Sequence, residues 1–133
     1  MDDFLFVYGT LKQSENHPAH SLLKGDCVYY GQGYFYGKLY QVTTYPAAIV
    51  SNGTERVYGE VYRILCPTTL FKRLDDYEEC NGNYPEPNEY QRSQVAIHLN
   101  DETITAWTYL YNLHSIGLEE ILSGNYETES KRN

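Results

Sequence analysis

VYGEVYRILCPTTLFKRLDDYEE, residues 57–79, changes its hydrophobic period half-way along. Val57 to Ile64 is rich in β-branched and aromatic residues and reads as a strand. From Pro67 to Glu79 the apolar residues fall instead at Leu70, Phe71, Leu74 and Tyr77, the spacing of one helical face. Thr68 or Thr69 offers a cap at its start, and Cys80-Asn81-Gly82-Asn83 ends it. Outward from this stretch the chain is mostly strand. Phe4 to Tyr8 is a short apolar run ended by Gly9-Thr10. Cys27 to Tyr30, Tyr34 to Val42 and Ala47 to Val50 follow, punctuated by Gly31, Gly33 and Gly37, which mark bulges or tight bends. Ser51-Asn52-Gly53-Thr54 is a turn signal before the strand at Val57. Downstream, Gln91 to Leu99 and Thr103 to Tyr111 alternate on either side of an Asn100-Asp101 turn.

Three further segments complete the chain. Ala19 to Lys24 is compatible with a short helix stopped by Gly25, and Ser115 to Leu122 with a last one followed by Gly124. Tyr84 to Glu89 holds two prolines and reads as an irregular loop, while Asn125 to Asn133 is polar and reads as a frayed, disordered tail. The expected fold is α+β, one domain over residues 1–124 on a bent, mixed, largely antiparallel sheet with flanking short helices. At 133 residues a second domain is not expected, since chains rarely divide below roughly 200 residues.

Composition narrows the function classes. Ten Lys plus Arg against eighteen Asp plus Glu leave a net charge of −8. That field repels phosphate backbones and anionic lipid, so neither a nucleic-acid partner nor a membrane is expected. No apolar run approaches the roughly eighteen residues a spanning helix requires, and the acidic Met-Asp-Asp start lacks the basic region of a secretory signal. Cys27, Cys66 and Cys80 are odd in number, far apart and without a Cys-x-x-Cys pair. They encode neither a disulfide framework nor a thiolate zinc site, and a cytoplasmic, reducing location is expected. Fifteen tyrosines against four phenylalanines point to an interior whose hydroxyls need partners.

Glu78 is the position that carries chemistry. With Leu74 at the origin of a helical wheel and about 100° per residue, Leu70 lies at about −40°, Phe71 at about +60° and Tyr77 at about −60°. Glu78 falls at about +40°, inside the apolar stripe, whereas Asp75, Glu79 and Asp76 fall at about 100°, 140° and 200°, on the solvated side. A carboxylate on a buried face is costly unless hydrogen-bonded or paired. Its place in the last turn, at the negative end of the macrodipole, compounds this. Both effects favour the protonated form, as a general base working near neutral pH requires. The alternative is an acid that tips outward at a fraying end or pairs with Arg73 or Arg92.

The second constellation is Tyr8-Gly9-Thr10-Leu11. Glycine after a buried strand permits a left-handed turn or a close backbone approach, leaving N–H groups that bind a carboxylate or carbonyl oxygen without cationic side chains. Other candidates are weaker. His17 and His20 have no companions that complete a metal set, so no metal is expected. No covalent nucleophile motif and no phosphate loop is present. Tyr90, Tyr109 and Tyr111 are sheet aromatics first and cavity hydroxyls second.

These pieces, taken in order, resemble a known family. Phe-Val-Tyr-Gly-Thr-Leu-Lys (6–12), Gly-Lys-Leu-Tyr (37–40) with Tyr-Pro-Ala (45–47), Val-Tyr-Gly-Glu-Val-Tyr (57–62), and Leu-Asp-Asp-Tyr-Glu (74–78) with Tyr-Gln-Arg (90–92) are similar to the γ-glutamylcyclotransferase-like family. The likeness is to its γ-glutamylamine cyclotransferase and AIG2-like branch and covers roughly residues 3 to 112. The resemblance implies a small mixed barrel-like sheet with flanking helices. It implies release of pyroglutamate (5-oxoproline) from a small-molecule γ-glutamyl compound, without metal or cofactor. By the same likeness Glu78 is the catalytic acid and Tyr8, Gly9, Thr10 and Leu11 form the substrate loop, with Tyr90 and Tyr109 lining the pocket. The segment Asn81 to Glu89 lengthens the loop after Glu78 and bears on which γ-glutamyl compound is taken. The sequence leaves the oligomeric state open. A binding module that keeps the γ-glutamyl pocket without catalysis, and an interaction protein with a tyrosine surface, are the rival readings.

Overall fold

Leu5 and Val7 point to one side of the first strand and Phe6 and Tyr8 to the other, and all four are buried. A strand buried on both faces must lie between two apolar layers, and the fold is built around that requirement. The computed structural model describes residues 3–9, 12, 23, 25–42, 45–78, 90–113 and 117–126. Its elements run β1 (Asp3–Val7), β2 (Cys27–Val42), β3 (Tyr45–Val50), β4 (Arg56–Ile64), α1 (Pro67–Tyr77), β5 (Tyr90–His98), β6 (Thr103–Tyr111) and β7 (Glu119–Glu120).

The strands are ordered β3-β2-β4-β1-β6-β5, and a pairing of Tyr34 in β2 with His98 in β5 brings the ends together. Five strands thus close a ring, β2-β4-β1-β6-β5. All its pairings are antiparallel except β1 with β6, which run parallel with Leu5 opposite Trp107. One cluster draws residues from every strand of the ring, among them Phe6, Phe35, Val61, Ile97 and Ala106, and so fills the barrel interior. The other joins Leu5, Val7, Tyr62 and Ile64 to Leu70 and Leu74, so α1 is packed on the outer face of β1 and β4.

The predicted α+β, barrel-like sheet is the one observed, with β6 bounded as expected and β1, β3, β4 and β5 displaced by only a residue or two at their ends. The two runs expected on either side of Gly31 are one strand, β2, with a register shift between Tyr29 and Gly31. Gly33 marks the seam: a Cβ there would lie 2.9 Å from the His98 carbonyl oxygen, so β2 and β5 meet only because none is present.

Other expectations are corrected. Neither Thr68 nor Thr69 caps α1. Cys66 holds the cap position with no side-chain bond, and Pro67 fills the first turn, where its missing N–H costs nothing. The Asp26 carbonyl instead receives the N–H groups of Leu65 (2.8 Å) and Cys66 (3.1 Å). The helix ends at Tyr77, before the Cys80–Asn83 stop. No helix forms over 117–122 of the Ser115–Leu122 segment. Glu119 and Glu120 pair with Gln41 and Tyr40 of β2, and the Ile121 N–H continues to the Leu39 carbonyl at 2.6 Å. Leu118 and Ile121 pack against the two core clusters from this extended segment, and Leu122 is left 86% exposed. Asn125 does not begin a frayed tail either, because Tyr126 is 3% exposed and belongs to the barrel interior. Of the Ala19–Lys24 segment only Leu23 is described, and the Tyr84–Glu89 loop lies outside the described residues. Among the described residues no helix is long and apolar enough to cross a membrane.

Gly59 tests the closeness of β4 to β1. A Cβ there would stand 2.2 Å from the Val7 carbonyl oxygen and 2.7 Å from Phe6 Cζ. Gly59→Ala is expected to lower the unfolding free energy by about 1–3 kcal/mol, the usual cost of overpacking. Urea denaturation followed by circular dichroism measures it.

Candidate active site

Leu70 and Leu74, both 0% exposed, fix the rotation of α1 on the sheet. Tyr77, assigned by the wheel to the apolar stripe, is 41% exposed, while Asp75, assigned to solvent, has a side chain only 24% exposed. The buried stripe is therefore turned towards Phe71 and Asp75, and its centre moves nearer the angle of Glu78. Glu78 itself closes the helix: its φ is −85° and ψ 0°, and its N–H reaches the Leu74 carbonyl at 2.8 Å. It is half-buried.

Tyr8, the residue that follows β1, is where the charge of Glu78 is felt. Burial pushes the Tyr8 phenol far above its ordinary value, the Glu78 charge pushes it further, and the Ala48 backbone N–H partly opposes both. The hydroxyl donates to the Tyr109 carbonyl oxygen, so β1, β3 and β6 meet at one phenol. Tyr8 is thus held neutral, with its hydroxyl engaged by backbone.

Gly9 comes next, and its role is close approach. A Cβ would meet Pro46 Cγ at 2.7 Å, whereas the backbone does not adopt the left-handed conformation. The Gly9 carbonyl accepts the Lys12 N–H at 3.0 Å, closing a turn over residues 9–12. Thr10 and Leu11, within that turn, lie outside the described residues. Pro46 joins this turn to Tyr90, whose hydroxyl donates to the Pro46 carbonyl at 2.6 Å.

Tyr109 is committed elsewhere. Its ring is buried and its hydroxyl donates to Asp75 Oδ1 at 2.5 Å. Arg92 reaches the other oxygen of Asp75 at 3.5 Å and lies over the rings of Phe71 (4.1 Å) and Trp107 (5.4 Å). Arg73 forms its ion pair with Asp26. Both arginines weighed as partners for Glu78 are therefore paired with other acids.

The geometry brings Glu78, Tyr8, Gly9, Tyr90 and Tyr109 to one end of the barrel, where β1 and β6 finish side by side. It adds residues that sequence reasoning missed. Asp75 and Arg92 hold the end of α1 to β5 and β6. Lys12 is 4% exposed, and Glu60 is 5% exposed with the Tyr62 hydroxyl donating to it at 3.0 Å. Lys12 and Asp75 both stood inside quoted motifs, 6–12 and 74–78, without being given a task there. Among the described residues no group of three or more His, Cys, Asp or Glu is arranged to hold a metal ion.

Comparison with known proteins gives this arrangement its context. A family model described as "Gamma-glutamyl cyclotransferase, AIG2-like" matches residues 5–128. The chain belongs to the AIG2-like γ-glutamyl cyclotransferase family. A γ-glutamylcyclotransferase family protein of Citrobacter rodentium, ytfP, is 35% identical over 125 residues, which span 92% of this chain and 93% of that one. The γ-L-glutamyl-butirosin B γ-glutamyl cyclotransferase of Niallia circulans is 32% identical over 109 residues, covering 81% of this chain and 66% of the relative. Among solved structures, the solution structure of ytfP from Escherichia coli superposes with a TM-score of 0.63 at 28% identity, covering 92% of this chain and 95% of that chain. The family match begins at Leu5 and extends beyond Tyr126, so it contains both the β1 end and the buried C-terminal tyrosine.

Tyr8→Phe is expected to destabilise the protein by about 1–3 kcal/mol near neutral pH, because Ala48 and Tyr109 each lose a buried partner. The raised phenol also ties stability to pH. The folded state holds this proton more tightly than the unfolded chain, so its contribution is complete below the ordinary value of 10.0 and is lost as pH rises beyond it. Urea midpoints measured between pH 8 and about pH 12 are expected to fall less steeply above pH 10 in Tyr8→Phe than in wild type.

Proposed function

We propose that the protein is a γ-glutamyl cyclotransferase that releases 5-oxoproline from a γ-glutamyl amine or γ-glutamyl amino acid, with Glu78 as general base and acid. The observation that carries this reading is the position of Glu78. It closes α1 near enough to the end of β1 for its charge to be felt at the Tyr8 hydroxyl, and Tyr8 leads directly into Gly9.

In the proposed reaction the substrate's α-ammonium gives a proton to the Glu78 carboxylate. The freed amine attacks the substrate's own γ-carbonyl carbon, forming a carbon–nitrogen bond and a five-membered tetrahedral intermediate. Backbone N–H groups of the turn after Tyr8 hold its oxyanion. As the oxyanion collapses, the bond to the leaving nitrogen breaks and protonated Glu78 supplies that nitrogen with a proton. The ring nitrogen sheds its second proton to solvent. Nucleophile and electrophile share one molecule, so the protein's tasks are to fold the substrate into attack geometry and to move one proton.

The neutral Tyr8, engaged on both sides by backbone, serves as wall and anchor. The turn suits an anionic substrate because backbone amides supply positive partial charge without a cationic side chain. The relatives named γ-glutamyl cyclotransferases support the reaction type.

Glu78→Gln, nearly isosteric and unable to accept the proton, is expected to lower kcat/KM by about 10²–10⁴ without changing the circular dichroism spectrum. The assay is 5-oxoproline release from a panel of γ-glutamyl amines and dipeptides. Turnover at the wild-type rate would remove Glu78 from the mechanism. Calorimetric binding of the same compounds by wild type, with no 5-oxoproline formed, would make the domain a binding module.

A further inference from the structure

We propose that Lys12 is a positioning residue: its buried ammonium ties the C-terminal segment Ile121–Tyr126 to the substrate turn and so fixes the backbone amides of that turn. The proposal rests on the cyclotransferase reading for its catalytic consequence, and on geometry alone for the clamp.

Lysine is rarely almost wholly buried unless its ammonium is satisfied. Here Lys12 is 4% exposed, and its Nζ donates to Asn125 Oδ1 at 3.1 Å and to the Tyr126 carbonyl at 2.9 Å. The same residue's backbone N–H closes the turn on the Gly9 carbonyl at 3.0 Å. One residue therefore carries both the end of the turn and the bond to a segment more than a hundred positions away.

The distant partner is itself rigidly placed. β7 pairs with β2, the Ile121 N–H donates to the Leu39 carbonyl, and the Tyr58 N–H of β4 donates to the Gly124 carbonyl at 2.8 Å. Gly124 has φ +70°, and a Cβ there would stand 1.7 Å from the Arg56 carbonyl oxygen, so only glycine lets the segment cross β4 this closely. Tyr126 then enters the barrel interior in the cluster that holds Phe6 and Tyr8. The segment is thus a strap anchored on two barrel strands, and Lys12 is where it grips the turn. In the proposed reaction the turn's amides meet the oxyanion, whose stabilisation depends on donor placement. A loosened clamp therefore costs turnover more than substrate affinity.

The test uses the full chain as wild type, Lys12→Met, Lys12→Arg, Asn125→Ala and the Lys12→Met/Asn125→Ala double variant. Methionine fills the space of the lysine stem but leaves the Tyr126 carbonyl without the lysine donor, so the melting temperature is expected to fall by a few degrees while the protein stays folded. Hydrogen exchange of the peptide containing residues 9–12, followed by mass spectrometry, is expected to accelerate about tenfold or more in Lys12→Met. It should accelerate by less in Asn125→Ala, and no further in the double variant than in Lys12→Met, since partners in one contact are not additive. For 5-oxoproline release, kcat is expected to fall by roughly 10- to 100-fold with KM nearly unchanged. Lys12→Arg, which keeps a charged donor, is expected to recover part of the loss. Unchanged exchange in Lys12→Met overturns the clamp, as do additive effects in the double variant. Accelerated exchange with undiminished kcat overturns the positioning role. Should wild type release no 5-oxoproline, the function proposed above fails, and the exchange results alone decide the clamp.

Discussion

The Tyr8 hydroxyl is the point on which the arrangement turns. It sits where β1 ends, donates to the carbonyl of Tyr109 in β6 and receives the N–H of Ala48 in β3. A buried phenol without such partners would cost a few kcal/mol, and backbone groups left open by its removal would cost a similar amount. The only parallel pairing of the ring, β1 with β6, leaves both strands finishing at the same end, and this side chain crosses between them. What lies beyond, the Gly9–Lys12 turn on one side and the closing residue of α1 on the other, inherits its position from that junction. The same satisfaction removes Tyr8 from proton traffic. A hydroxyl engaged on both sides by backbone, and pushed to stay neutral, keeps its proton near neutral pH.

Local periodicity carried much of the fold. The alternation of Thr103–Tyr111 and the spacing of Leu70, Phe71 and Leu74 need only neighbours in the chain to be read, and those elements stand where they were expected. Pairing partners far away in sequence were not legible. Glu119 and Glu120 form strand because an edge of β2 is available at Tyr40 and Gln41, which no window around residue 119 contains. The polar composition after Asn125 resembles a solvated tail, yet one tyrosine fitted into the barrel holds its beginning in place. Tertiary contact overrides composition at such points.

The candidate site divides along the same line. Glu78 was legible because an acid among apolar neighbours contradicts its own helical face, a conflict visible in sequence. Asp75 was not, since at about 100° from Leu74 it looks solvated on any wheel. Only the arrival of the Tyr109 hydroxyl and of Arg92 from the adjoining strands makes that side of the helix an interior one. Lys12 was quoted within a motif and given no task, because its partners lie at residues 125 and 126.

Asp75 and Glu78 show how two acids three positions apart on one helix face are given different environments. Left alone, two carboxylates so close on one face would repel each other. Asp75 is met by a phenolic donor and by a guanidinium that lies over two aromatic rings, so its charge is opposed where it stands. That pairing pins the last turn of α1 against β6 and reduces the field Asp75 exerts on its neighbour. Glu78 lies one step further, where the helix has stopped and its charge is felt at the neutral phenol of Tyr8. Under the proposed chemistry the first carboxylate sets the helix and the second moves the proton. An arginine paired with a carboxylate favours its charged form, so the Arg92 contact commits Asp75 to the structural part under that chemistry.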